Sequence, residues 1–62
     1  MGNKVKEYRL KRKMSQEELA EKSGVSRVTI SNIETGFQVV IKTTTMERIA
    51  KALEMSPKTL FF

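Results

Sequence analysis

The segment from residue 16 to residue 36 constrains this chain most. Leu19 and Ala20 sit in a polar run that ends at Ser23-Gly24, and Ile30 and Ile33 sit in a second run that ends at Thr35-Gly36. Each glycine falls where the apolar spacing stops, the position at which a left-handed residue closes a helix without the penalty a β-carbon brings. Ser15 and Ser26 stand just ahead of the two runs, where a hydroxyl accepts from the free N–H groups of a first turn. The stretch therefore reads as two short helices joined by a tight glycine turn. The second has a polar outer side and carries no acid until Glu34.

Similar start signals recur along the chain. Met14-Ser15 with Glu18-Leu19 combines a capping box and a hydrophobic staple, and Val25-Ser26 with Ile30 repeats the cap and the staple. Met55-Ser56-Pro57 with Leu60 adds proline at the first helical position, where its missing N–H costs nothing. Thr44 with Glu47 reads as another capping box, and Asn3 is an acceptable cap for a first helix. Helices are predicted over about 4–12, 16–23, 27–34, 45–54 and 57–61. Their inward residues are Val5 and Tyr8, then Leu19 and Ala20, then Ile30 and Ile33, then Met46, Ile49, Ala50 and Leu53. Residues 37–43 are β-branched and favour strand by propensity, yet a lone strand has no partner here. They are expected as an extended loop with Val39 or Ile41 under the core, the alternative being a ribbon formed between two chains.

A chain of 62 residues holds one small core, so residues 1–62 read as a single all-α domain. With no cysteine and no histidine, it has neither disulfides nor the commonest metal ligands and general bases. No metal or cofactor is expected. Glu17, Glu18 and Glu21 suit the early turns of a short helix, and Ser15, Ser26 and Ser56 are caps with no base to activate them. An enzyme is therefore not expected. No apolar run approaches the ~20 residues that span a bilayer, and no small-molecule site or signal core stands out, so a cytoplasmic location is expected.

The net charge is +5, and its distribution says more than its total. Residues 1–13 hold Lys4, Lys6, Arg9, Lys11, Arg12 and Lys13 against Glu7 alone, whereas residues 14–34 are net acidic. A basic cluster of this kind pairs with phosphates, or is simply a solvated helix face.

The stretch Ser15-Gln16-Glu17-Glu18-Leu19-Ala20, followed by Gly24-Val25-Ser26 and Ile30-Ser31-Asn32-Ile33-Glu34-Thr35-Gly36, closely resembles the lambda-repressor/Cro-type helix-turn-helix of the XRE family. Ile49-Ala50-Lys51-Ala52-Leu53 and Leu60-Phe61 fit the family's ending. Where that family carries a polar turn after its second motif helix, this chain has Phe37-Gln38-Val39-Val40-Ile41. The resemblance implies a five-helix lambda-repressor-like bundle and a transcriptional regulator, a repressor or Cro-like protein. It also implies that Gln16 bonds a phosphate and braces the recognition helix, and that Arg9 pairs with Glu34.

A helix of this kind enters the major groove with its N-terminal residues at the base edges. Ser26, Arg27, Val28, Ser31 and Asn32 are the expected base contacts. Arg27 suits guanine O6/N7, Asn32 suits adenine N6/N7, and Val28 offers a methyl contact to thymine. Gln16, Lys4, Lys11, Arg12, Lys13, Thr35, Lys42 and Thr43 are the expected phosphate contacts. Arg9, Glu34, Ala20, Gly24, Ile30 and Ile33 are expected to be structural. Because one helix covers only a few base pairs, a homodimer on double-stranded DNA is expected, with Phe62 as a candidate contact. The competing reading is a protein-interaction module, such as an antitoxin, that uses residues 37–43 or the Phe61-Phe62 end.

Overall fold

Serine caps and apolar staples set most of the helix starts. A computed structural model describes residues 3–38 and 40–62, and the expectation for Val39 lies outside these residues. The described residues form five helices: α1 (Val5–Lys11), α2 (Gln16–Ser23), α3 (Arg27–Thr35), α4 (Thr43–Ala52) and α5 (Pro57–Phe61). Ser15 and Glu18 complete the capping box, with Ser15 Oγ accepting from Glu18 N at 3.0 Å and Glu18 Oε1 from Ser15 N at 3.1 Å. Ser26 accepts from Thr29 N at 3.1 Å and Ser56 from Lys58 N at 3.2 Å, with Pro57 at the first position of α5. Asn3 has two roles. Its Oδ1 accepts from Val5 N at 3.0 Å and its Nδ2 donates to the Ile33 carbonyl at 3.0 Å, so the start of α1 is tied to α3.

One predicted cap does not form. α4 begins at Thr43, after Lys42 in extended backbone, with no side-chain cap bond, so the Thr44–Glu47 box is replaced by an earlier start. The physical reason is apolar. Ile41 and Met46 occupy the positions of a hydrophobic staple around that start, and Ile41 packs against the core. Burying Ile41 outweighs one exposed hydroxyl–amide bond. Among the described residues between α3 and α4 there is no strand pairing.

Helix ends divide into two kinds. Gly24 (φ 75°) and Gly36 (φ 82°) close α2 and α3 in the left-handed region. Lys13 and Glu54, both at φ 56°, do the same work after α1 and α4 despite their β-carbons. Around Lys13, Met14 N donates to the Arg9 carbonyl at 3.1 Å and Lys13 N to that of Leu10 at 2.9 Å. Around Glu54, the matching bonds run from Met55 N to the Ala50 carbonyl at 2.9 Å and from Glu54 N to that of Lys51 at 3.0 Å. Both are Schellman closures, which satisfy the last carbonyls of a helix.

Every helix contributes to one core. Val5, Leu19, Val25, Ile30, Ile33, Ile49, Ala50, Leu53 and Leu60 are buried, and Tyr8, Met14, Ala20, Ile41, Ala52, Met55 and Phe61 pack partly buried around them. Each fully buried aliphatic side chain contributes roughly 1.5–3 kcal/mol by leaving water. α2 packs on α3 and α4, α4 on α5, and α1 on α3 and α5. On α1 the inward pair differs from expectation. Val5 is buried with Arg9, four residues on, while Tyr8 is only half-buried. A helical arginine takes a core position because its charge is met there.

Candidate nucleic-acid interface

α3 is held by its apolar side. Ile30 and Ile33 are fully buried, and the residues on the other side of the helix remain accessible. Ser26, Arg27 and Val28 are exposed, Val28 by 64 %, while Ser31 and Asn32 are half-buried. The five expected base readers thus lie on or just before α3. Ser26 is also the cap, and its hydroxyl donates to Thr29 Oγ1 at 2.8 Å. The carbonyl of Asn32 accepts from Gln38 N at 3.0 Å and from Thr35 Oγ1 at 3.3 Å, which ties the chain after α3 back onto that helix.

A polar chain crosses three helices beneath this edge. Arg9 Nε donates to Glu34 Oε2 at 2.7 Å, Arg9 Nη2 to Glu34 Oε1 at 3.1 Å, and Arg9 Nη1 to the Met14 carbonyl at 2.6 Å. Gln16 Nε2 then donates to Glu34 Oε1 at 3.0 Å, and Arg27 Nη1 donates to Gln16 Oε1 at 3.0 Å. The Arg9 and Glu34 side chains are 8 % and 2 % exposed, so this pair is a buried fork-to-fork ion pair. Its desolvation is offset by complete pairing: among the described residues, no buried side-chain nitrogen or oxygen lacks a partner.

Gln16 sits where the chain meets the surface. With Arg9, Ser15, Glu17 and Arg27 it lines an open depression at the start of α2. The early N–H groups of a helix carry positive potential, and the Gln16 amide has a second N–H beyond the one given to Glu34. This depression has the donors that a phosphate oxygen requires.

Of the other expected phosphate contacts, Lys4, Lys11, Arg12, Lys13, Thr35, Lys42 and Thr43 are all exposed. Lys11 is partly engaged, 3.5 Å from Glu7 Oε2 and 4.8 Å from the centre of the Tyr8 ring. Thr43 is the first residue of α4 and Lys42 precedes it.

Sequence reasoning missed Ser23. It is buried at the end of α2, where its hydroxyl accepts from Val25 N at 3.2 Å and so stitches the turn between α2 and α3. The available signal was a small hydroxyl residue two positions before the first apolar residue of the turn. Ala20 is half-buried beside the core, and Gly24 needs its glycine for backbone conformation rather than space, since an added β-carbon would meet only Arg48 Nη1 at 3.9 Å.

Two capped helices locked through a tight turn, the second pinned by isoleucines and presenting a polar edge, define a helix-turn-helix protein. A helix-turn-helix family profile matches residues 5–60, and the chain belongs to that family. It is 35 % identical over 60 residues to the HTH-type transcriptional regulator SinR of Bacillus subtilis, covering 97 % of this chain and 54 % of that protein. It is 43 % identical over 47 residues to YozG of the same organism, an uncharacterized HTH-type transcriptional regulator, covering 76 % of this chain and 56 % of that protein. The chain therefore spans about half the length of the curated relatives it matches. Among solved structures, the restriction-modification controller protein C.AhdI from Aeromonas hydrophila superposes with a TM-score of 0.87 at 31 % identity, covering 94 % of this chain and 86 % of that one. Among the described residues, no cluster of His, Cys, Asp or Glu could hold a metal, and no helix is long and apolar enough to cross a membrane.

Proposed function

We propose that this protein is a sequence-specific transcriptional regulator that binds double-stranded DNA in the cytoplasm and acts as a repressor. In this reading α3 lies in the major groove. Ser26, Arg27, Val28, Ser31 and Asn32 face base edges; Gln16, Lys4, Lys11, Arg12, Lys13, Thr35, Lys42 and Thr43 face the backbone. One observation carries the proposal: residues 26–28 stand exposed at the start of α3 while Ile30 and Ile33 fix the helix from behind. The regulators to which the chain is similar support the same reading.

The working form is a homodimer. A single helix reads too few base pairs for a unique site, and two would read half-sites about 34 Å apart. Phe37, Val40 and Phe62 are 83 %, 84 % and 89 % exposed, a large apolar expense for a lone domain. Gly36, Gln38 and Phe62 line one groove together with Ile41, Met46 and Phe61, so this side offers both protruding and receiving apolar groups. The same residues support a second reading, a module that grips a partner protein. Selection of bound duplexes from a random-sequence pool decides between them. The regulator enriches a motif with two related halves, and its affinity falls steeply with salt. A pool that stays random, together with an Arg27→Ala variant that still performs its cellular task, would leave the partner-protein reading.

A further inference from the structure

The Glu34 carboxylate lies two hydrogen bonds from the Arg27 guanidinium, with only the Gln16 amide between them. Building on the DNA-reading role above, we propose that Glu34 is a positioning residue for base choice. Its charge fixes the flip of the Gln16 amide, and that flip holds Arg27 at its reading angle.

The argument is one of donor and acceptor polarity. A carboxylate only accepts, a guanidinium only donates, and an amide does one at each end. Between Glu34 and Arg27, a single orientation of Gln16 satisfies both neighbours: nitrogen toward the acid, oxygen toward the arginine. The reverse flip sets oxygen against carboxylate and NH2 against guanidinium. Glu34 cannot turn away to relieve this, because its two oxygens are held by Arg9, itself anchored on the Met14 carbonyl, and its side chain is 2 % exposed. The fixed end of the chain is therefore buried and the adjustable end is exposed.

Two consequences follow. Arg27 Nη1 is tethered to α2, so part of the ordering a long side chain undergoes on binding is complete beforehand, while its Nε and Nη2 hydrogens remain for a base edge. The second Gln16 N–H is left for the proposed backbone phosphate by the same constraint. One amide then links a phosphate contact to a base contact, and the buried acid sets both.

Glu34→Gln tests this with little change of shape. Keeping the shorter 2.7 Å bond from Arg9 Nε places the new amide's oxygen there and turns its NH2 toward Arg9 Nη2 and Gln16. Gln16 flips in response, and Arg27 loses its acceptor. The probe is the duplex that the wild-type protein enriches from a random-sequence pool, with each base pair replaced in turn. Arg27→Ala first identifies the pair that Arg27 discriminates. At that pair, Glu34→Gln is expected to lower discrimination about fivefold, a fraction of what a bidentate contact supplies, with the other positions unchanged. In an Arg27→Ala background it should lower discrimination no further.

Gln16→Met provides a second variant should loss of the buried charge unfold the chain. It keeps the Arg9–Glu34 pair and removes the link, so the same pair should lose discrimination on top of a uniform loss from the phosphate. Uniform weakening by Glu34→Gln across all duplexes, additive effects of Glu34→Gln and Arg27→Ala, or full discrimination by Gln16→Met would each overturn the positioning role. A pool that yields no motif would instead overturn the DNA-reading role beneath it.

Discussion

Arg9 shows what a single residue does in so small a protein. It occupies a core position, pairs with Glu34 and holds the Met14 carbonyl, so one side chain joins α1, α3 and the loop between α1 and α2. Removing one partner of a buried pair leaves the other uncompensated, at about 3–5 kcal/mol. Arg9→Met is therefore expected to lose most of the stability of the domain, as read by urea unfolding. Val28 is the opposite case. It is 64 % exposed, so Val28→Gln should change stability by no more than about 0.5 kcal/mol in thermal melts while changing the preferred base at one position of the selected motif. Val28 was legible in the sequence because it falls opposite Ile30 and Ile33. The burial of Arg9 was not, since periodicity treats arginine as a surface residue and gives its place to Tyr8. Only the family resemblance pointed to its partner.

At the scale of the helix, apolar staples proved more reliable than polar caps. α2, α3, α4 and α5 all begin between an apolar residue before the cap and another five positions on: Met14/Leu19, Val25/Ile30, Ile41/Met46 and Met55/Leu60. The boundaries read from the sequence were close for α2, α3 and α5 because serine and staple agree there. They slipped by two residues at the start of α4 because Thr44 offered a plausible hydroxyl and the Ile41/Met46 pair went unread. Helix ends follow the same logic. Gly24 and Gly36 announced themselves, whereas Lys13 and Glu54 adopt the same backbone shape without a sequence mark. A non-glycine residue in that region carries a penalty of roughly 1–2 kcal/mol. Glu54→Gly is accordingly expected to raise stability by up to about 1 kcal/mol, part of the relief being offset by the freer unfolded chain. Gly24→Val should act in reverse, costing at least about 1 kcal/mol through φ alone, and both are checked by denaturant midpoints.

For the whole molecule, folding redistributes the charge that the sequence displays. Arg9 is neutralised inside by Glu34, so the N-terminal charge proposed to meet phosphates rests on Lys4, Lys11, Arg12 and Lys13, with Lys11 in an exposed pair with Glu7. In the proposed homodimer the exposed Phe62, at the rim of the groove lined by Ile41, Met46 and Phe61, meets the second copy. Phe62→Glu should shift sedimentation toward monomer and weaken binding to a two-half site, while leaving the base preference of a half-site unchanged.

The outward edge of α3 is the surface proposed to read DNA. The most direct test follows amide and side-chain resonances of the labelled protein while the selected duplex is titrated in. The largest changes are expected at Arg27, Val28, Ser31 and Asn32, together with the side-chain amide of Gln16. Changes confined to residues 37–42 and Phe62, with α3 undisturbed, would contradict it.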